Sequence, residues 1–315
     1  MKAHDNDYDK SSEKVAKLPI IAQQVIDQNN PKVINIATTI ENQSINKVSY
    51  EDDWCVGALE LSVEDFAFSL SESKEWRARR GDFGVPQKDI YGNYFDDDAS
   101  LDIVAYMEMD IDRLLELAYQ DDQYALVAAM NRSELRKNTQ IPIAHRLMIL
   151  GNTALAPQFL TTVEIVTAQL QYQKERTFTP EIKDKIMTAL AYATYGINNY
   201  DLSALTAYLQ VVSSAPFKDN LDLGLLLSKE DYQIVSERAK EIKRQISEFR
   251  EQENLSYLNE QDLPKIAIHN FQSRLAALYV EHATALAELE LLTLDDGPSL
   301  KKSACIERHI KLFEN

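Results

Sequence analysis

The sequence predicts a mostly α-helical protein: an α-α superhelix of paired helices, with a small mixed segment before it and a helical hairpin after it. Three observations predict this. Glycine is scarce, 8 of 315 residues, which disfavours sandwiches, barrels and phosphate-binding loops, all of which need positive φ at several turns. The stretch Leu114–Met130 reads as the end of one helix, a tight acidic turn and the start of another. Leu117, Leu150 and Leu190 sit in segments of similar texture, 33 and 40 residues apart, and periods of that size belong to helix-pair arrays.

The elements follow in order. Residues 1–14 are polar and charged and are expected to fray, and 17–28 can form a short helix. Val33–Ile40 is rich in β-branched residues and bounded by Pro31 and Asn42, so a strand is expected there, paired with a second around Lys47–Tyr50. Ser62, with Asp65 three residues on, opens a helix that runs to about Arg79 and stops before Gly81. Residues 81–100 hold Gly81, Gly84, Pro86, Gly92 and the run Asp96-Asp97-Asp98 and read as a linker. The chain therefore divides into an N-terminal segment (1–80), the linker (81–100), a helical-repeat domain (101–227) and a C-terminal pair of helices (228–315).

Within the repeat domain, helices are expected at 101–108, 111–120, 122–136, 142–154, 158–174, 180–197 and 201–213. In the sixth of these, Ile182, Ile186, Ala189, Leu190, Ala193 and Ile197 form one apolar stripe. Tyr195 lies opposite the stripe and Tyr192 well off it. A repeat helix needs a second contact face for its neighbour, which accounts for both tyrosines; lining a binding groove is the alternative. Further on, Ser228 and Asp231 cap a long helix with Tyr232, Val235, Ala239, Ile242, Ile246 and Phe249 at alternating spacings of three and four. Pro264 opens another, with Ile268, Phe271, Leu275, Leu278, His282, Ala285, Leu289 and Leu292 in the same alternation. Two such stripes predict an antiparallel hairpin or a homodimer interface. A short terminal helix follows at about Lys301–Phe313.

Charge bounds the partners. The formal net charge is −17, so a polyanion such as nucleic acid is repelled, and a basic protein partner is compatible. Eleven acids and one base, Arg113, lie between Asp89 and Gln123. They read as a solvated face and helix N-terminal acids, with a dock for a basic peptide as the sharper alternative. No apolar run approaches the ~20 residues of a membrane span, and the polar N-terminus has no apolar export core. The compartment expected from the sequence as it stands is the cytoplasm, or the periplasm if a signal has been removed. Cys55 and Cys305 are too few for a disulfide framework and are read as two separate buried thiols. Paired, they would close a loop of about 250 residues.

Catalytic chemistry is not evident. There is no phosphate-binding glycine loop and no nucleophile elbow. His4, His145, His269, His282 and His309 are read as isolated, so no metal site and no cofactor are expected; His282, on an apolar stripe, is read as a core or interface histidine. Asp110 and Asp112 are read as helix-capping acids rather than a metal-holding pair. Arg77, Arg79 and Arg80 form the strongest basic cluster, a solvated helix end or, alternatively, a phosphate or carboxylate clamp.

Leu117-Ala118, then Asp121-Asp122, then Ala125, Ala128 and Ala129 resemble the Sel1-like repeats, relatives of the tetratricopeptide family, with Gln120 where those repeats carry a turn glycine. Leu150-Gly151 is similar to their leucine–glycine pair. The texture upstream (Trp76, Arg80-Gly81, Tyr91 and Tyr94) is similar to that of uncharacterised bacterial proteins. The resemblance implies an α-solenoid used for protein–protein contact, without catalytic residues. The expectation is an interaction scaffold that binds a partner polypeptide through a groove or acidic face, with Tyr119, Asp121, Asp122, Tyr192 and Tyr195 as contact residues. The alternatives are a self-associating structural protein joined through the C-terminal stripes, and a helical hydrolase or transferase using Asp110, Asp121 and Asp122.

Overall fold

A computed structural model describes residues 55, 61–82, 101–214, 217, 227–255 and 263–313. The chain divides into two compact units, Met1–Ile45 and Asn46–Asn315, and every described residue belongs to the second. The strands expected at 33–40 and 47–50, the helix at 17–28 and the linker beyond Asp82 lie outside the described residues. Among the described residues all regular structure is helical: α1 (Val63–Arg79), α2 (Leu101–Glu108), α3 (Ile111–Tyr119), α4 (Gln123–Asn131), α5 (Lys137–Ile149), α6 (Leu155–Glu175), α7 (Pro180–Asn198), α8 (Ser203–Val212), α9 (Lys229–Gln252), α10 (Lys265–Leu289) and α11 (Ala304–Phe313).

Capping chemistry sets the starts. Ser62 accepts from the Asp65 amide at 3.0 Å, Asp110 accepts from the amides of Asp112 and Arg113, and Ser228 with Asp231 forms a reciprocal capping box. A single device sets many of the ends. The Asp82, Asp122, Asn152, Asp201 and Leu255 amides each reach back five residues to a helix carbonyl. The residue before each takes a left-handed conformation: Gly81, Asp121, Gly151, Tyr200 and Asn254. This is the Schellman ending. It explains why α3 turns without the expected glycine: Asp121 occupies the left-handed position at φ 64°, a conformation that Asp tolerates better than most residues.

Two boundaries differ from the sequence expectation. α5 begins at Lys137 and carries Pro142 inside it, where the sequence suggests a start at the proline; it stops at Ile149 because Gly151, at φ 105°, turns the chain. α4 ends at Asn131 rather than near 136. There Arg132 donates to the carbonyls of Met107 and Met109, while the Gln140 amide donates to those of Met130 and Arg132. These bonds satisfy the carbonyls of the turn and hold it against α5.

Each helix from α3 to α7 packs on its successor, while α2 packs on α4 and α6 on α8. α7 is the central element, covered by α6, α8 and α9. Its apolar stripe is buried as expected, and so is the opposite face at Tyr195, 2 % exposed. The C-terminal helices depart from the expected hairpin: α9 lies chiefly on α7 and also on α5, whereas α10 lies on α11, α1 and α8. Neither helix has the other as its main packing partner. His282 is half-buried at a kink in α10 (φ −135°, ψ 32°), with Nδ1 3.2 Å from the Ser213 hydroxyl.

Cys55 and Cys305 are joined in a disulfide, with Cα atoms 5.4 Å apart; this corrects the expectation of separate thiols. Arg80 corrects a second expectation. Its side chain is buried and donates to Asp201 at 2.7 Å, with its guanidinium 5.1 Å from the Trp76 ring centre. Arg77 pairs with Asp82 at 3.1 Å. Arg77 and Arg80 thus pair with carboxylates beyond α1, whereas Arg79 lies on the solvated face and pairs with Glu75 at 3.2 Å.

Candidate functional site

The five expected contact residues separate once folded. Asp122 accepts from the Ala125 amide at the start of α4 and from the Tyr106 hydroxyl at 2.9 Å, so its carboxylate is occupied as a cap. Asp121 is paired with Arg146, whose Nε donates at 2.6 Å; those hydrogen bonds hold its carboxyl below the ordinary range. Arg146 also donates to Glu253 at 2.7 Å. The acidic turn therefore fastens α3, α5 and the end of α9 together. Tyr119 is 77 % exposed and stands apart from the groove described below. Tyr195 is in the core beside Ile246, where burial pushes its phenol pKa upward; its side chain is not available to a partner. Asp110, named with the enzymatic alternative, caps α3.

Tyr192 alone of the five borders a recess. His145, Met148 and Ile149 of α5, Tyr192 of α7, and Ile242, Gln245, Ile246 and Phe249 of α9 enclose a groove of about 260 Å³. The groove lies along the far end of the α9 stripe. Tyr232, Val235 and Ala239 are buried against the central helices, but Phe249 at the far end is 49 % exposed. At this end α9 packs on α5 with Ile246 buried, and the stripe leaves Phe249 half exposed at the groove edge.

Polar groups mark the rim. The Tyr192 hydroxyl lies 3.5 Å from His145 Nε2, and their rings are 6.0 Å apart at a tilt. Burial, then the nearby Glu164 carboxylate, pushes the Tyr192 phenol up to about 12. Gln245 donates to Glu241 at 2.7 Å. Though largely exposed, the His145 imidazole is partly desolvated by the groove walls, which holds it below its ordinary value of 6.5. The folded groove therefore favours the neutral ring, and stability is lost as pH falls through 6.5 and the unfolded chain takes up the proton more readily. In an NMR titration the His145 ring should titrate with a midpoint below 6.5; a midpoint at or above that value would contradict its placement in the groove.

A second, more polar cleft of about 410 Å³ lies where α1 meets the start of α8 and α10, lined by Trp76, Arg77, Arg80, Asp201 and Arg274 among others. Two of its guanidiniums are already neutralised by Asp82 and Asp201, and Arg274 donates to the Ser203 hydroxyl at 3.3 Å. The charges of Arg77 and Arg80 are spent on bracing α1.

The sequence reading missed a third cluster. Cys305 and His309 stand four residues apart, one helical turn, on α11. Cys55 joins them, and the ligand atoms of all three lie within 4.8 Å of one another. The spacing of Cys305 and His309 was the available signal; the approach of Cys55 from far along the chain had none.

No helix among the described residues is long and apolar enough to cross a membrane. No family model, no curated protein and no solved structure matches this chain.

Proposed function

We propose that this is a non-enzymatic helical-repeat protein that holds a short segment of a partner polypeptide in the groove between α5, α7 and α9. The observation that carries the reading is the half-exposed Phe249 beside an apolar floor of Met148, Ile149, Ile242 and Ile246. Grooves of this kind accept the apolar face of a helix or extended peptide. The net charge of −17, with Glu164 and Glu241 beside the rim residues Tyr192 and Gln245, favours a segment whose apolar anchor is flanked by lysine or arginine. The repeat reading, Sel1-like or tetratricopeptide-like, is supported by helices that pack on their successors and next-but-one neighbours. The Cys55–Cys305 disulfide supports an oxidising compartment such as the periplasm over the cytoplasm.

A displayed random-peptide library panned against the full chain tests this. Selected peptides should converge on an aromatic or aliphatic anchor with basic neighbours. Phe249→Ala should weaken their binding about tenfold, as for an interface anchor worth roughly 1.4 kcal/mol, without altering helicity. Failure to converge would reject the reading. So would a dimer in light scattering that dissociates on Phe249→Asp, because it would give the groove to a second copy of the chain.

A further inference from the structure

We propose that Cys55, Cys305 and His309 form a metal site that exchanges with the disulfide: closed by the S–S bond when oxidised, and open to a soft divalent cation, zinc above all, when reduced. The ligand atoms of the three residues lie within 4.8 Å of one another. Zinc bound by thiolate at about 2.3 Å sets neighbouring sulfurs roughly 3.8 Å apart in a tetrahedron, so reduction need only part the two sulfurs from their bonded spacing of about 2 Å. Cys305 and His309, four residues apart on α11, present their ligands from one helix face. His309 is 4 % exposed, and its ring meets that of His269 edge to face with centres 5.5 Å apart, which fixes the imidazole plane before any ion arrives. Both cysteines are half-buried rather than sealed, so a small dithiol can reach them. Two thiolates and one imidazole form a soft donor set that selects zinc over magnesium or calcium, and water fills the fourth position.

The exchange balances. A dithiol reductant gives two electrons and two protons to the Cys55–Cys305 bond, and is itself oxidised to a cyclic disulfide. Zinc then displaces the two thiol protons as it binds. In reverse, hydrogen peroxide takes two electrons from the bound thiolates and two protons from solvent, forms two waters, restores the disulfide and frees the ion.

The test uses the full chain, reduced with a phosphine and freed of it, then titrated with Co²⁺ as a spectroscopic stand-in for zinc. The expected result is one equivalent bound at micromolar concentration, a thiolate-to-cobalt charge-transfer band, and displacement of cobalt by zinc. The oxidised chain should give no band. Cys305→Ser should weaken binding about a hundredfold and His309→Ala at least about tenfold, in variants whose helicity is checked first. In the unaltered chain the His309 ring resonances should shift on zinc addition only after reduction, a readout that needs no variant. A reduced chain without a charge-transfer band, binding equal in both redox states, or unmoved His309 resonances would overturn the proposal.

Discussion

Reduction of the Cys55–Cys305 bond in metal-free buffer should lower the melting temperature by about 10 °C. The bond spans a sequence separation of 250 residues, so it restricts the unfolded chain far more than the folded one. The loop-entropy description puts that restriction at roughly 5.5 kcal/mol for a loop of this size, and for a unit of this length each kcal/mol moves the midpoint by roughly 2 °C. The native side loses little, because α11 is held independently by its packing on α10, with Ile306 buried in the larger core. The expected result is therefore a cooperative transition shifted downward, with helicity before the transition unchanged. Cys305→Ser should reproduce it. A midpoint that moves by less than about 2 °C on reduction, or two reactive thiols in the untreated protein, would contradict the pairing.

Asp201→Ala should cost about 3–5 kcal/mol, measured by urea unfolding. The Asp201 side chain is 1 % exposed and its partner Arg80 10 %, so deleting the carboxylate leaves a largely buried guanidinium with only Asp82, 4.0 Å away, as a paired acid. The same carboxylate accepts from the Ser203 amide at 2.8 Å, adding a lost hydrogen bond at the first residue of α8. Around this pair three helix ends converge: the Arg80 carbonyl accepts from the Thr153 amide at 3.3 Å, and Asn152 donates to the Gly81 carbonyl at 2.8 Å. Gly81 fits only because it lacks a side chain; a Cβ there would lie 2.9 Å from the Asn152 amide nitrogen. The double replacement Arg80→Met with Asp201→Leu should recover much of the loss, since it removes both charges together. A cost below about 1 kcal/mol for Asp201→Ala would show that the pair is solvated.

Local chemistry was legible in the sequence. The caps at Ser62, Asp110 and Ser228, the α7 stripe and the stop before Gly81 follow from residues within one or two turns. Partner choice was not. The stripes of α9 and α10 state that each helix has an apolar face, but a face carries no address, and both are spent chiefly on other helices rather than on each other. Likewise the tyrosines of α7 look alike in sequence. Tyr195 is buried in the core cluster that also holds Ile246, while Tyr192, three residues earlier, borders the groove beside α9. Arg80 read as solvated because its partner Asp201 lies 121 residues away. Cys55 carried no local sign of Cys305 for the same reason.

The most direct test of the groove as the working surface is a comparison of peptide affinity by calorimetry in three chains: unaltered, Phe249→Ala and Arg274→Ala. The account predicts about tenfold weaker binding for Phe249→Ala and an unchanged constant for Arg274→Ala, which alters only the second cleft. Equal affinity in the first two chains, or a loss confined to Arg274→Ala, would place binding in the arginine-lined cleft and contradict the groove.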